Sequence, residues 1–247
     1  ALWYLAVLVV IILVMLKNKL IASYELWQWR PVQSSLLKAG LKLGLPIGLQ
    51  VFAEVAIFAV VSLQMAKFSS QVIAAHQSAM NFATLLYAFP VSVSMALPIV
   101  ISYEIGANRP QAARQYAIIG RLTAILFAGL TLTFLYFNRQ MVAGWYGQNP
   151  VFIRLTADFL VFALFFQLAD AFTAPIQGIL RGYKDTTVPF LLGLISFWSL
   201  TFPIAFLLEG TTDLGPKAYW VGLIVGIFAC GITLNIRMHI VEKRTVQ

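Results

Sequence analysis

Apolar residues form seven long runs along the chain, and short polar or charged segments separate them. Most runs are long enough to cross a bilayer, which takes about 20 residues of helix. The pattern predicts apolar segments over residues 1–16, 41–65, 72–102, 116–137, 153–180, 188–208 and 218–236. We therefore expect an all-α integral membrane protein, in which the first segment is the end of a longer helix.

The composition supports a membrane protein. Of 247 residues, 60% are hydrophobic and only 11% are charged, and the mean hydropathy is +0.85. A soluble domain of this length needs more charge on its surface. The chain opens inside an apolar run with no initiator Met and no basic segment before it, so we expect a fragment of a longer protein rather than a signal peptide. The lone Cys230 is expected to pack in a helix.

Basic residues collect on alternate connections between the predicted spans. One set of connections holds only Lys67, Arg139, Arg154 and Lys217, and the other set holds the remaining 13 of the 17 Lys and Arg residues. By the positive-inside rule the richer set is cytoplasmic, which places the C terminus, residues 237–247, in the cytoplasm. The net charge of +8 is thus a signal of topology, and we expect no nucleic-acid partner.

The connection over residues 17–40 is long, basic and carries Trp27 and Trp29. Aromatic rings and cations together suit the headgroup region of a bilayer. We expect this segment to lie along the cytoplasmic interface, in contact with lipid, as a linker between two bundles. The alternative is a disordered loop.

Two carboxylates, Glu54 and Asp170, lie deep in predicted spans. An acid at mid-bilayer costs on the order of 3 kcal/mol on insertion scales, so it indicates a functional site. Carboxylates with nearby amide and hydroxyl oxygens suit a hard monovalent cation or a proton, and we expect Na⁺ or H⁺ at Glu54 and Asp170. The alternative is that each acid only accepts hydrogen bonds from a neighbouring helix.

Further polar residues share helix faces with the two acids or form a polar face of their own. Gln50 lies one turn before Glu54. Gln167, Asp170, Gln177 and Arg181 follow one stripe, with Thr173 near it, and a third polar face carries three more residues. The candidates for a cleft that binds substrate are Gln50, Gln77, Asn81, Thr84, Gln167, Thr173 and Gln177.

The sequence contains no catalytic motif that we recognise. HExxH, GxSxG and the P-loop are absent, and the two histidines, His76 and His239, are on distant segments. We expect no enzyme activity and no cofactor apart from a coupling ion.

Four motifs in this order resemble the C-terminal half of the MATE multidrug and cation antiporters, in their NorM-like branch. They are LGLPIGLQVFAE at 43–54, VIAAHQSAMNF at 72–82, YEIGANRPQAAR at 103–114 and QGILRGYKDTTVPF at 177–190. The resemblance extends over essentially the whole chain. It implies twelve helices in two six-helix lobes around a cleft that opens to each side in turn.

The resemblance also implies roles for parts of this chain. Residues 1–16 correspond to the end of the sixth helix, 17–40 to the linker between lobes, 41–236 to the C-terminal six-helix lobe and 237–247 to a tail. Glu54 and Asp170 match the acids of the seventh and tenth helices, which are implicated in binding the coupling cation. Phe166 stands where some relatives have a Tyr, which removes one oxygen ligand.

The function implied is secondary active multidrug efflux, in which inward Na⁺ or H⁺ movement drives export of cationic, amphipathic compounds by alternating access. The partners implied are small-molecule drugs and organic cations, and the N-terminal lobe of the same transporter in a bacterial cytoplasmic (inner) membrane. A lipid-linked precursor flippase is one alternative, although no span interior holds a cluster of Lys or Arg. A non-transporting membrane scaffold subunit is another.

Overall fold

The computed structural model describes residues 2–17 and 33–246, and within these ranges the chain is helical without strands. Its helices are α1 (Leu2–Lys17), α2 (Ser34–Met65), α3 (Ser70–Gly106), α4 (Pro110–Gly144), α5 (Pro150–Gly182), α6 (Thr187–Thr211) and α7 (Lys217–Val246). Most of the expected linker, including Trp27 and Trp29, lies outside the described residues. The chain divides into two compact units, Ala1–Leu41 and Lys42–Gln247, and the second contains the cavity described below.

Six helices, α2 to α7, are long and apolar enough to cross a membrane. The shortest of them, α6, has 25 residues, or about 37 Å at 1.5 Å per residue, against a hydrocarbon core of about 30 Å. Each of the six predicted spans lies inside one of these helices, which confirms an all-α membrane fold. The helices extend past the predicted ends because polar end turns continue the helix after the apolar run stops. Residues 34–40 thus belong to α2, and most of the expected tail continues α7.

Helix α5 is the centre of the bundle formed by the second unit. It packs against α3, α4 and α7, while α6 packs against α7. Small residues allow these approaches: a Cβ on Gly178 would strike the backbone of Ser94 on α3, and one on Gly182 would lie 2.8 Å from Ile101. Transmembrane helices depend on such contacts because burial from lipid supplies little hydrophobic driving force.

The C-terminal ends of α3 and α5 have the same backbone geometry. Asn108 and Lys184 adopt left-handed conformations, with φ of 58° and 61°, two residues after Gly106 and Gly182. After α3, the amides of residues 108 and 109 donate to the carbonyls of residues 105 and 104; after α5, those of 184 and 185 donate to 181 and 180. Both ends are therefore Schellman motifs, which satisfy carbonyls that a helix end leaves free.

An ion pair and a half-buried phenol lie at the end of the bundle that carries these two motifs. Arg237 of α7 pairs with Asp185 of the α5–α6 loop at 2.6 Å, and both side chains are largely buried. The pKa of Tyr183 is raised to about 12, first by burial and then by the Glu242 carboxylate, while Arg114 opposes the shift. The pair attaches α7 to the loop that follows α5.

Candidate functional site

A cavity of about 390 Å³ lies between α2, α3 and α5, with Phe197 of α6 and Ile227 of α7 completing its wall. Most of its lining is apolar, and four aromatic rings contribute to it: Phe58, Tyr87, Phe166 and Phe197. Its charged lining residues are Glu54, Asp170 and Arg181. The two acids that the sequence singled out thus share one cavity.

Glu54 is held by two amide donors on different helices. Gln50, one turn earlier on α2, donates from Nε2 to Glu54 Oε1 at 3.3 Å, and Gln177 of α5 donates to the same oxygen at 2.9 Å. Amides of this kind stabilise a carboxylate and fix its position. The other oxygen, Oε2, accepts no hydrogen bond among the described residues and is free for a ligand.

Asp170 lies on α5 and is only 8% exposed, yet it lines the cavity. Its carboxylate accepts no hydrogen bond from the described side chains. Phe166, one turn earlier, packs edge-on against Phe58 with ring centroids 5.5 Å apart, so an apolar wall stands where a Tyr would have offered an oxygen. A buried carboxylate without a donor is costly unless a proton or another cation neutralises it.

Arg181 completes the charged lining, although the sequence assigned it to a connection rather than to the site. Helix α5 continues to Gly182, one turn past the cavity, so the long side chain of Arg181 reaches back into the wall. The available signal was its spacing of four from Gln177 on the polar stripe. That spacing placed Arg181 on the correct face, but its position at the helix end favoured a loop.

The other cleft candidates divide into two groups. Thr84 and Gln177 line the cavity, and Gln50 acts next to it through Glu54. The remaining candidates lie outside the lining: Gln77, Asn81, Gln167 and Thr173.

Three of these four residues have structural partners. Gln167 donates to the Leu86 carbonyl at 3.2 Å, and Thr173 lies within hydrogen-bond distance of the carbonyls of Ala169 (2.8 Å) and Ile227 (3.2 Å). Asn81 accepts from the Tyr146 hydroxyl at 2.8 Å. Gln77 is exposed on α3. These polar groups thus connect helices or lie at the surface of the bundle.

The described residues contain no group of three or more His, Cys, Asp and Glu side chains suited to a metal ion. The candidate cation ligands are therefore the two acids of the cavity. Two carboxylates in one cavity suit a monovalent cation, whereas a structural zinc site takes four N or S ligands.

A comparison with protein families finds a family model that matches this chain. The family model MatE matches residues 46–207, which is more than half of the sequence and includes both acids. The chain belongs to the MATE family. A relative from Streptococcus pneumoniae strain R6, named a probable multidrug resistance protein NorM, is 51% identical to this MATE chain over 98% of the chain and 53% of the relative.

Solved MATE structures have the same fold. The crystal structure of the eukaryotic MATE transporter AtDTX14 matches this MATE chain with a TM-score of 0.81 at 16% identity, over 96% of the chain and 55% of that protein. An outward-facing multidrug resistance MATE family transporter matches with a TM-score of 0.80 at 15% identity, over 88% of the chain and 49% of that protein. The chain spans about half the length of the curated relatives it matches.

Proposed function

We propose that this chain is the C-terminal lobe of a secondary active transporter that exchanges cationic, amphipathic compounds against Na⁺ or H⁺. The observation that carries the proposal is the cavity in which Glu54 and Asp170 face the same apolar space. The names of relatives such as the S. pneumoniae protein support multidrug substrates.

The chemistry of the cavity suits both kinds of cation. Glu54 and Asp170 supply negative charge for a small coupling ion, and the aromatic rings attract an organic cation through their faces. The cavity volume of about 390 Å³ lies in the range of about 300–1,000 Å³ that small-molecule sites occupy. An N-terminal lobe, which we propose as the partner of this chain, would close the open side of the site.

Exchange follows if the two cations favour different orientations of the cleft. A coupling cation at the acids stabilises one orientation, and an organic cation stabilises the other, so each shifts the population in proportion to its differential affinity. No covalent intermediate is needed, and the ion gradient supplies the free energy for export.

The test replaces each acid by its amide in the full-length transporter. Glu54→Gln and Asp170→Asn are expected to insert normally and to lose ethidium efflux driven by a Na⁺ or H⁺ gradient in proteoliposomes. Asp213→Asn is the matched control, because Asp213 is an exposed loop acid outside the cavity. Wild-type efflux rates in both cavity variants would show that these acids take no part in transport. Efflux that does not depend on any ion gradient would favour a non-transporting scaffold with a passive leak.

A lipid-linked precursor flippase remains the runner-up and needs cationic groups to hold phosphate. The cavity contains one such group, Arg181, beside two carboxylates. Because acids outnumber bases there, the lining favours cationic over anionic cargo.

We also propose that the chain resides in the bacterial cytoplasmic membrane with its C terminus in the cytoplasm. The asymmetry of Lys and Arg between the two sets of connections supports this orientation. A C-terminal green fluorescent protein fusion should fluoresce and a C-terminal alkaline phosphatase fusion should be inactive; the opposite pair of results would reverse the topology.

A further inference from the structure

Arg181 differs from the other basic residues whose hydrogen bonds or ion pairs are described. Lys67 donates to the Tyr219 hydroxyl, and Arg139 donates to the Tyr136 carbonyl. Arg109, Lys217 and Arg237 each form an ion pair with a carboxylate. Arg181 forms no such pair with the described residues, and its buried Nε has no hydrogen-bond partner. Its guanidinium is therefore not explained by a structural ion pair.

The position of Arg181 on α5 connects it to the acids. Gln177, one turn earlier, donates to Glu54 at 2.9 Å, and Asp170 lies on the same polar stripe of the helix. Glu54, Asp170, Gln177 and Arg181 all line one cavity. A guanidinium stays charged at every physiological pH, so Arg181 is a fixed positive charge in a wall whose other charges are negative.

A fixed cation in such a wall changes which ligands the cavity accepts. It cancels one carboxylate charge whatever ion occupies the rest of the site. The cavity therefore presents one negative charge less than its two acids alone would present. When both acids are ionised, one negative charge remains, and a monovalent organic cation balances it, whereas a dication brings a surplus positive charge close to the guanidinium.

We propose that Arg181 is a specificity-determining residue that sets the cavity to accept singly charged organic cations and to disfavour dications. The inference rests on the proposed function, because it takes the cavity as the substrate site. It goes beyond that function by naming the charge class of the substrate and the residue that selects it.

The experiment compares two dyes with the same ring system. Ethidium carries one positive charge, and propidium carries a second on a quaternary ammonium side chain. Their dissociation constants are measured by dye fluorescence with purified full-length transporter in detergent, without an ion gradient. Wild-type protein should bind ethidium at least as tightly as propidium. In Arg181→Gln, the affinity for propidium relative to ethidium should rise about tenfold or more, since unit charges a few ångströms apart at a partly buried site interact on that scale.

Two further variants separate charge from shape. Arg181→Lys keeps the positive charge and should keep the wild-type preference. Arg114→Gln removes an exposed arginine of α4 outside the cavity and should leave both affinities unchanged. The inference would be overturned if Arg181→Gln left the ratio of the propidium and ethidium dissociation constants unchanged, or if the wild-type protein bound propidium tenfold more tightly. Either result would count even if the amide variants of Glu54 and Asp170 had lost efflux. The dye-binding assay therefore tests the role of Arg181, and the efflux assay with the amide variants separately tests the proposed transport function.

Discussion

Replacement of Gly178 by alanine tests the closest contact between α5 and α3. A Cβ at this position would lie 3.0 Å from the Cα of Ser94 and 3.1 Å from its carbonyl carbon, and closer still to the carbonyl oxygen. These are backbone atoms of a helix and cannot rotate away. The two helices must therefore separate by several tenths of an ångström, or the methyl group must remain overpacked.

The expected effect is a moderate loss of stability. Overpacking a close-packed interior costs about 1–3 kcal/mol, and the better helix propensity of alanine over glycine returns about 0.5–1 kcal/mol. The free energy of unfolding of the Gly178→Ala variant should thus be lower than that of the wild-type protein by up to about 2.5 kcal/mol. The wider separation of the two helices should also shift the preceding residue, Gln177, and with it the hydrogen bond to Glu54.

The assay is reversible unfolding of the full-length protein by SDS in mixed micelles, followed by tryptophan fluorescence. Gly129→Ala is the matched control, since a Cβ at Gly129 of α4 would meet nothing within 4 Å. The control should be neutral or slightly stabilised. If Gly178→Ala and Gly129→Ala had the same unfolding free energy, the close approach of α5 to α3 would not stabilise the bundle.

Three further changes have defined outcomes. Gln177→Leu removes the 2.9 Å hydrogen bond to Glu54, and a bond to a charged group is worth about 1.5–3 kcal/mol. The coupling-cation concentration for half-maximal efflux should therefore rise about tenfold. An unchanged concentration would mean that the amide does not position the acid. Asp185→Asn leaves Arg237 unpaired and should cost about 1–3 kcal/mol in SDS unfolding, less than for a fully buried pair. Addition of Arg237→Gln should recover part of that loss, and strict additivity would contradict the pairing. Burial raises the pKa of Tyr183 to about 12 from about 10 in an unfolded chain, so folding favours the protonated phenol. This contribution to stability is complete below pH 10 and is lost between pH 10 and 12. The Tyr183→Phe variant should lack that part of the decline in thermal stability, and parallel curves of thermal stability against pH for wild type and variant would contradict the prediction.

The spans were predictable because hydropathy is a local property of the sequence. Runs of apolar residues indicated the six described helices that can cross a membrane, and the spacing of four put Gln50 on the face of Glu54, where the structure has a hydrogen bond between them. The ends were less predictable, since a helix continues after its apolar run wherever end turns and caps satisfy its backbone. Ser34 and Pro110 begin helices seven and six residues before the predicted spans at 41 and 116.

The members of the site were harder to predict, because helical spacing defines a face but not the neighbour of that face. Gln77, Asn81 and Thr84 share a predicted face of α3, yet only Thr84 lines the cavity. Asn81 instead meets Tyr146 of the α4–α5 loop, a contact between residues 65 positions apart. Arg181 was placed on the same face as Gln177 and Asp170, but it was also counted with the basic connections because it follows the predicted span, and its side chain reaches back to the cavity.

The central place of α5 affects the order in which the chain can assemble during synthesis. Its partners α3 and α4 precede it, but α7 is made last, and Thr173 of α5 contacts the carbonyl of Ile227 on that helix. When α5 has been synthesised and α7 has not, one side of the polar stripe of α5 therefore lacks its final neighbour. Until α7 inserts, that side of α5 lacks its final protein neighbour, so an interruption of synthesis between α5 and α7 leaves polar groups of the lobe facing lipid.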